Sequence, residues 1–96
     1  MSIHSPLYRE LIDRLVVWRK ESGVSQVDMA GHLDLTQPDI SKIERFERRL
    51  DALEFFLWLH KVSRTPHELS GIIDNIKSPN HPTQKSGKMK SNIKPC

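Results

Sequence analysis

The segment from Ser25 to Glu44, SQVDMAGHLDLTQPDISKIE, starts two short helices within one small stretch of chain. Asp28 follows Ser25 by three residues and Asp39 follows Thr36 by three, each pair a carboxylate form of the capping box. In that motif the hydroxyl and the carboxylate satisfy N–H groups that have no partner in the first helical turn. Met29, Ala30 and Leu33 then share one face of the first helix, and Ile40 and Ile43 one face of the second. With these turned inward, Gln37, Pro38, Ser41 and Lys42 are left outward. A chain punctuated in this way folds locally as helix, tight turn, helix.

The division between an inward support and an outward second helix is that of a helix-turn-helix, whose second helix lays its first residues in the major groove of DNA. The rest of the chain reads as further helices and no strands, an all-α class. A first helix runs from about Pro6 to Ser22, with Leu7, Leu11, Leu15 and Trp18 as its apolar stripe, Pro6 near its first turn and Gly23 ending it. Helices two and three cover roughly Gln26 to Leu33 and Gln37 to Arg45. A fourth starts behind Asp51, paired with Glu54, and carries more apolar residues from Leu53 to Leu59 than one core-facing stripe can use. Thr65, Pro66 and Glu68 open a fifth, followed by Leu69, Ile72, Ile73 and Ile76.

Ninety-six residues with 36% apolar content support one small domain with a modest core. The net charge of +3 is unevenly placed: residues 1–76 carry 10 basic and 12 acidic side chains, while residues 77–96 carry five lysines and no acid. The domain is therefore read as residues 1–76, and residues 77–96, rich in Lys, Ser, Pro and Asn, as a disordered basic tail able to tether phosphates without reading sequence. Within the body the cations Lys42, Arg45, Arg48 and Arg49 cluster beside the outward helix. No run of about 18 apolar residues and no signal-peptide pattern is present, so the expectation is a cytoplasmic protein without membrane attachment. The single cysteine, Cys96, makes no internal disulfide. Five scattered histidines, His4, His32, His60, His67 and His81, lack metal-ligand spacing, so neither metal nor cofactor is expected. No nucleophile motif, phosphate loop or paired carboxylates point to an enzyme.

From Leu15 to Leu69, about 55 of the 96 residues, the chain resembles the XRE family, the Cro and phage-repressor type of helix-turn-helix regulator. The words that carry the resemblance are LVVWRKESGVSQVDMA, LTQPDISKIER and ERRLDALEF. It implies a five-helix, lambda-repressor-like DNA-binding domain of a bacterial or phage transcription regulator, acting as a repressor on double-stranded DNA. Gln37, Pro38, Ser41 and Lys42 match the base-reading positions, and Gln26, Thr36, Arg45, Arg48 and Arg49 those that contact the phosphate backbone. Gln26 resembles a residue whose amide also braces the first residue of the next helix. Arg19 and Glu44 match a structural ion pair. Gln37 is suited to adenine N6 and N7, and Lys42 to guanine O6 and N7.

Two positions depart from the pattern: Asp34 and Phe46 stand where glycine is usual. Asp tolerates a left-handed backbone, but Phe does so poorly, so helix three is expected to run on by a turn or leave by another path. Alternatively Phe46 anchors a dimer contact. Phe56, Ile72, Ile73 and Ile76 are the other candidates for a homodimer interface, since two-fold symmetry doubles the base pairs read on a palindromic operator. A second reading is an antitoxin-like or other protein-interaction module, with an unidentified protein partner, that also autoregulates its own operon. A third is a non-specific RNA or single-strand binder, for which only Phe46 offers a stacking aromatic beside cations.

Overall fold

The computed structural model describes residues 4–77, with side chains through Asp74. Five α-helices follow one another: α1 (Pro6–Glu21), α2 (Gln26–Leu33), α3 (Gln37–Glu44), α4 (Ala52–Lys61) and α5 (Ser70–Lys77), the last preceded by a 3₁₀ turn at Pro66–Leu69. The expected fifth helix therefore begins as 3₁₀ and becomes α-helical only at Ser70. The described residues contain no strand. The proposed tail falls outside the described residues, apart from Lys77 at the end of α5.

Each start uses the device its sequence announces. Ser25, Thr36 and Asp51 accept from the N–H of Asp28, Asp39 and Glu54, and each acid reaches back to the cap N–H. The hydroxyl of Ser5 accepts from Tyr8 N–H, with Pro6 at the first helical position.

The helix ends follow one pattern. After α1, α2, α3 and α4 a residue takes the left-handed conformation: Gly23 (φ 71°), Asp34 (φ 59°), Phe46 (φ 64°) and Ser63 (φ 58°). At each end two backbone bonds close the Schellman arrangement, as in Glu47 N–H to Lys42 C=O at 2.8 Å with Phe46 N–H to Ile43 C=O at 3.1 Å. The same pair recurs as Val24 to Arg19 with Gly23 to Lys20, as Leu35 to Ala30 with Asp34 to Gly31, and as Arg64 to Leu59 with Ser63 to His60. Helix three thus stops at Glu44 and does not run on. Phe46 pays the steric cost of a positive φ because its ring, half-buried, packs against the core and under the Arg9 guanidinium, 4.5 Å from the ring centroid.

The core is built from Tyr8, Ile12, Leu15 and Trp18 of α1, Met29, Ala30 and Leu33 of α2, Ile40 and Ile43 of α3, and Trp58 and Leu59 of α4, closed by Val62 and Leu69. The stripe of α1 is rotated from the one expected. Tyr8 and Ile12 lie innermost, while Leu7 and Leu11 are only half-buried. Polar tips explain how the large rings are buried: Tyr8 Oη accepts from Leu50 N–H at 3.0 Å, and Trp58 Nε1 donates to the Leu15 carbonyl at 3.1 Å. α2 packs on α3 and α4, and α1 on α3 and α5, so α3 is supported from behind by two helices.

Candidate nucleic-acid interface

α3 divides as its sequence requires. Ile40 and Ile43 are fully buried, Gln37, Pro38 and Lys42 are exposed, and Ser41 is half-buried. Thr36 caps the helix and is itself exposed. The Thr36 backbone N–H donates to Asp39 Oδ2 at 3.1 Å and holds that carboxyl below the usual carboxylate range, so this acid stays ionised at the helix N-terminus. Thr36 Oγ1 accepts from Asp39 N–H at 3.3 Å, which leaves the hydroxyl proton for another acceptor.

Behind this surface lies a connected polar network. Arg19 on α1 makes a two-pronged contact with Glu44 at the end of α3, Nε to Oε2 at 2.7 Å and Nη2 to Oε1 at 3.1 Å. Its Nη1 donates to the Val24 carbonyl at 2.8 Å. Both side chains are more than nine-tenths buried, so each charge depends on the other. Gln26 Nε2 donates to Glu44 Oε1 at 2.9 Å, and Gln37 Nε2 donates to Gln26 Oε1 at 2.6 Å. The matched ion pair and the bracing glutamine are therefore parts of one chain of bonds that ends at the first residue of α3.

Of the cations after α3, Arg45 and Arg48 are engaged with acids. Arg45 binds Glu47 through Nε and Nη2 and gives Nη1 to Ser41 Oγ at 2.6 Å. The pair is exposed, and it lowers the Glu47 pKa and raises that of Arg45. Arg48 makes a two-pronged contact with the buried Glu54, at 2.9 and 3.0 Å, and also donates to the Arg49 carbonyl. That contact pushes the Glu54 carboxyl below its ordinary range, and the Glu54 N-cap bond to Asp51 N–H acts in the same direction. Arg49 lies over the Tyr8 ring at 5.3 Å. Arg48, expected as a backbone clamp, thus spends most of its donors tying the α3–α4 loop to the start of α4.

Among the dimer candidates, Phe56 on α4 and Ile73 on α5 are exposed, in company with Leu53, while Ile72 is half-buried against the core. Phe46 is engaged by its own chain, and the Ile76 side chain lies outside the described residues. Sequence reasoning missed the Arg48–Glu54 pair and the meeting of His32 with His60, whose ring nitrogens lie 3.3 Å apart across α2 and α4. The i, i+6 spacing of Arg48 and Glu54 crosses a loop and has no local signature. No group of three or more His, Cys, Asp or Glu residues able to hold a metal occurs among the described residues. No described helix is long and apolar enough to cross a membrane.

Five helices on one apolar core, with a buried ion pair joining the first to a short third helix that is carried on the second and exposed on its outer face, define a helix-turn-helix domain. The chain is similar over 81% of its length to a crystal structure of a point mutant of the restriction-modification controller protein C.Esp1396I, with 25% sequence identity and a TM-score of 0.65. The similarity covers 98% of that chain. No protein-family model matches the chain, and no curated protein does so significantly.

Proposed function

We propose that this protein is a sequence-specific, double-stranded DNA-binding transcriptional regulator, a repressor of the XRE type that acts as a homodimer on a palindromic operator. The observation that carries the reading is the exposed N-terminal face of α3, with Gln37, Pro38 and Lys42 outward while Ile40 and Ile43 lock the opposite face into the core. A helix so held presents side chains to a major groove at low entropic cost. Gln37 reads adenine and Lys42 guanine, Pro38 offers apolar surface to a thymine methyl, and Ser41 adds a hydroxyl. Gln26, Thr36, Arg45, Arg48 and Arg49 flank them and serve the phosphates. Arg45 and Arg48 do so with part of their charge already met by Glu47 and Glu54. The similarity to a controller protein supports a regulatory rather than a catalytic role.

Leu53, Phe56 and Ile73 are 68%, 56% and 47% exposed, more apolar surface than a small monomer has reason to leave in water, and this supports pairing of two copies. Residues 1–76 form the DNA-binding domain, and the five lysines of residues 77–96 add attraction to phosphates that is blind to sequence. The cytoplasm is where such a regulator acts.

The test is selection of bound duplexes from a random pool, followed by titration of the winner at two salt concentrations. A palindromic winner whose affinity falls with salt, and loses about 1–3 kcal/mol of discrimination in Lys42→Ala or Gln37→Ala, is the expected result. Equal binding to unrelated duplexes refutes it.

A further inference from the structure

We infer that Glu44 is a positioning residue that sets which base Gln37 can read, acting through Gln26 without touching DNA. The inference rests on the DNA-binding reading above. It follows from donor and acceptor chemistry along three consecutive bonds. A carboxylate only accepts, and a guanidinium only donates. Glu44 Oε1, 2.9 Å from Gln26, therefore requires the amide nitrogen of Gln26 to face it. The Gln26 oxygen is then left at the other end of the amide, where it can only accept. Gln37 lies on that side at 2.6 Å, so its nitrogen must turn toward Gln26 and its oxygen away.

An isolated glutamine has no such constraint, because its amide presents either order at similar energy. Bidentate recognition of adenine needs one N–H and one carbonyl in a set order along the base edge. Gln37 keeps one N–H and its oxygen for that purpose, and their order is dictated by a buried carboxylate at the other end of α3. Arg19 fixes that carboxylate in place, with both oxygens occupied at 2.7 and 3.1 Å. Three helices thus contribute to one orientation: Arg19 from α1, Gln26 from α2, Gln37 and Glu44 from the two ends of α3.

Glu44→Gln replaces a group that only accepts with an amide that both donates and accepts. Whichever way that amide sits, its NH2 meets one Arg19 donor, and it shows Gln26 either its oxygen or its NH2. Gln26 is then no longer held in one order, and both orders of Gln37 become accessible. Gln26→Met breaks the chain and leaves the Arg19–Glu44 pair intact, so both orders become accessible.

The full-length wild type, Glu44→Gln, Gln26→Met and Gln37→Ala proteins are compared on the duplex selected by the wild type and on its single-base-pair variants. Gln37→Ala identifies the base pair that Gln37 reads. At that pair alone, Glu44→Gln and Gln26→Met are each expected to flatten the preference by about tenfold or more. Every other position stays within about twofold of the wild-type preference. A uniform loss across all duplexes in both variants, or an unchanged preference at that pair, overturns the inference. If Glu44→Gln fails to fold by circular dichroism, Gln26→Met decides alone, and retention of the wild-type preference there refutes the relay. Side-chain amide NMR of the free proteins supplies a readout without DNA. The two Gln37 amide protons should be distinct and one slow to exchange in the wild type, and both should exchange rapidly in Gln26→Met. Should the wild type prefer no duplex while this amide signature is present, the regulator reading fails and the relay stands; should the signature be absent, the relay fails.

Discussion

Glycine placed in turn at the three non-glycine residues of positive φ separates backbone strain from side-chain packing, because the same Schellman geometry recurs with different surroundings. A left-handed L-residue costs about 1–2 kcal/mol, and glycine returns about 0.5–1 kcal/mol of that through the greater freedom of its unfolded chain. Ser63 is exposed, so Ser63→Gly is expected to stabilise by about 0.5–1 kcal/mol. Asp34→Gly should gain less, since Asp tolerates this region better. Phe46→Gly has the opposite sign. Its ring is half-buried against the core, worth about 1 kcal/mol of the 1.5–3 kcal/mol for full burial, and the Arg9 contact at 4.5 Å adds about 0.5–1 kcal/mol. After strain relief the net change is a loss of about 1 kcal/mol. Phe46→Ala loses the ring and keeps the strain, so it must be the least stable of the two. The assay is urea denaturation followed by tryptophan fluorescence, with the order wild type, Phe46→Gly, Phe46→Ala from most to least stable. If Phe46→Gly is more stable than wild type, the ring contributes nothing. If Phe46→Ala matches or exceeds Phe46→Gly, the backbone at this position is not left-handed, and α3 has another exit.

Arg19→Met leaves Glu44 buried with no cation and only the hydrogen bond from Gln26, and should cost about 3–5 kcal/mol. The double variant with Glu44→Met should cost less than the sum of the two single changes in a double-mutant denaturation cycle, and additive losses would show the pair is uncoupled. Glu54 has a folded pKa held low chiefly by its hydrogen bonds to Arg48, so it contributes stability that is present above its unfolded value and lost as pH falls through the folded one. Denaturation midpoints measured from pH 7 down to pH 3 should therefore decline in wild type below about pH 4.5, and Glu54→Gln should lower the neutral plateau while flattening that acid decline. Phe56→Ser, at an exposed site on α4, should shift sedimentation equilibrium toward monomer without lowering the thermal midpoint of the isolated protomer, whereas an unchanged mass would remove Phe56 from the interface.

Helix starts were legible because their chemistry is local. Ser25 with Asp28, Thr36 with Asp39 and Asp51 with Glu54 each act within three residues, and the capping bonds form wherever those side chains meet a helical turn. The outward set Gln37, Pro38, Ser41 and Lys42 followed from helical periodicity and emerged with Ile40 and Ile43 buried behind it. The stops were harder to read. Only Gly23 uses the residue that announces a left-handed turn, and the apolar stripe of α1 was misplaced toward Leu7 and Leu11, because several registers of leucine look alike until a neighbour is docked.

Local spacing in the chain was thus enough to specify where the first four helices begin and which face of α3 looks outward. Packing settled the rest. The left-handed turn at Phe46 exists because a folded core and Arg9 compensate a strain that no short peptide would bear. Arg48 is also tied to Glu54, a contact that spacing did not announce, since a buried carboxylate draws the nearest guanidinium. The bonds from Glu44 to Arg19 and Gln26 join residues 25 and 18 positions apart, and only the docking of α1, α2 and α3 brings them within 3 Å or so of one another. Hydrogen-bond direction, unlike helix periodicity, is a property of the assembled network, because the partner at one end determines what every later amide must present.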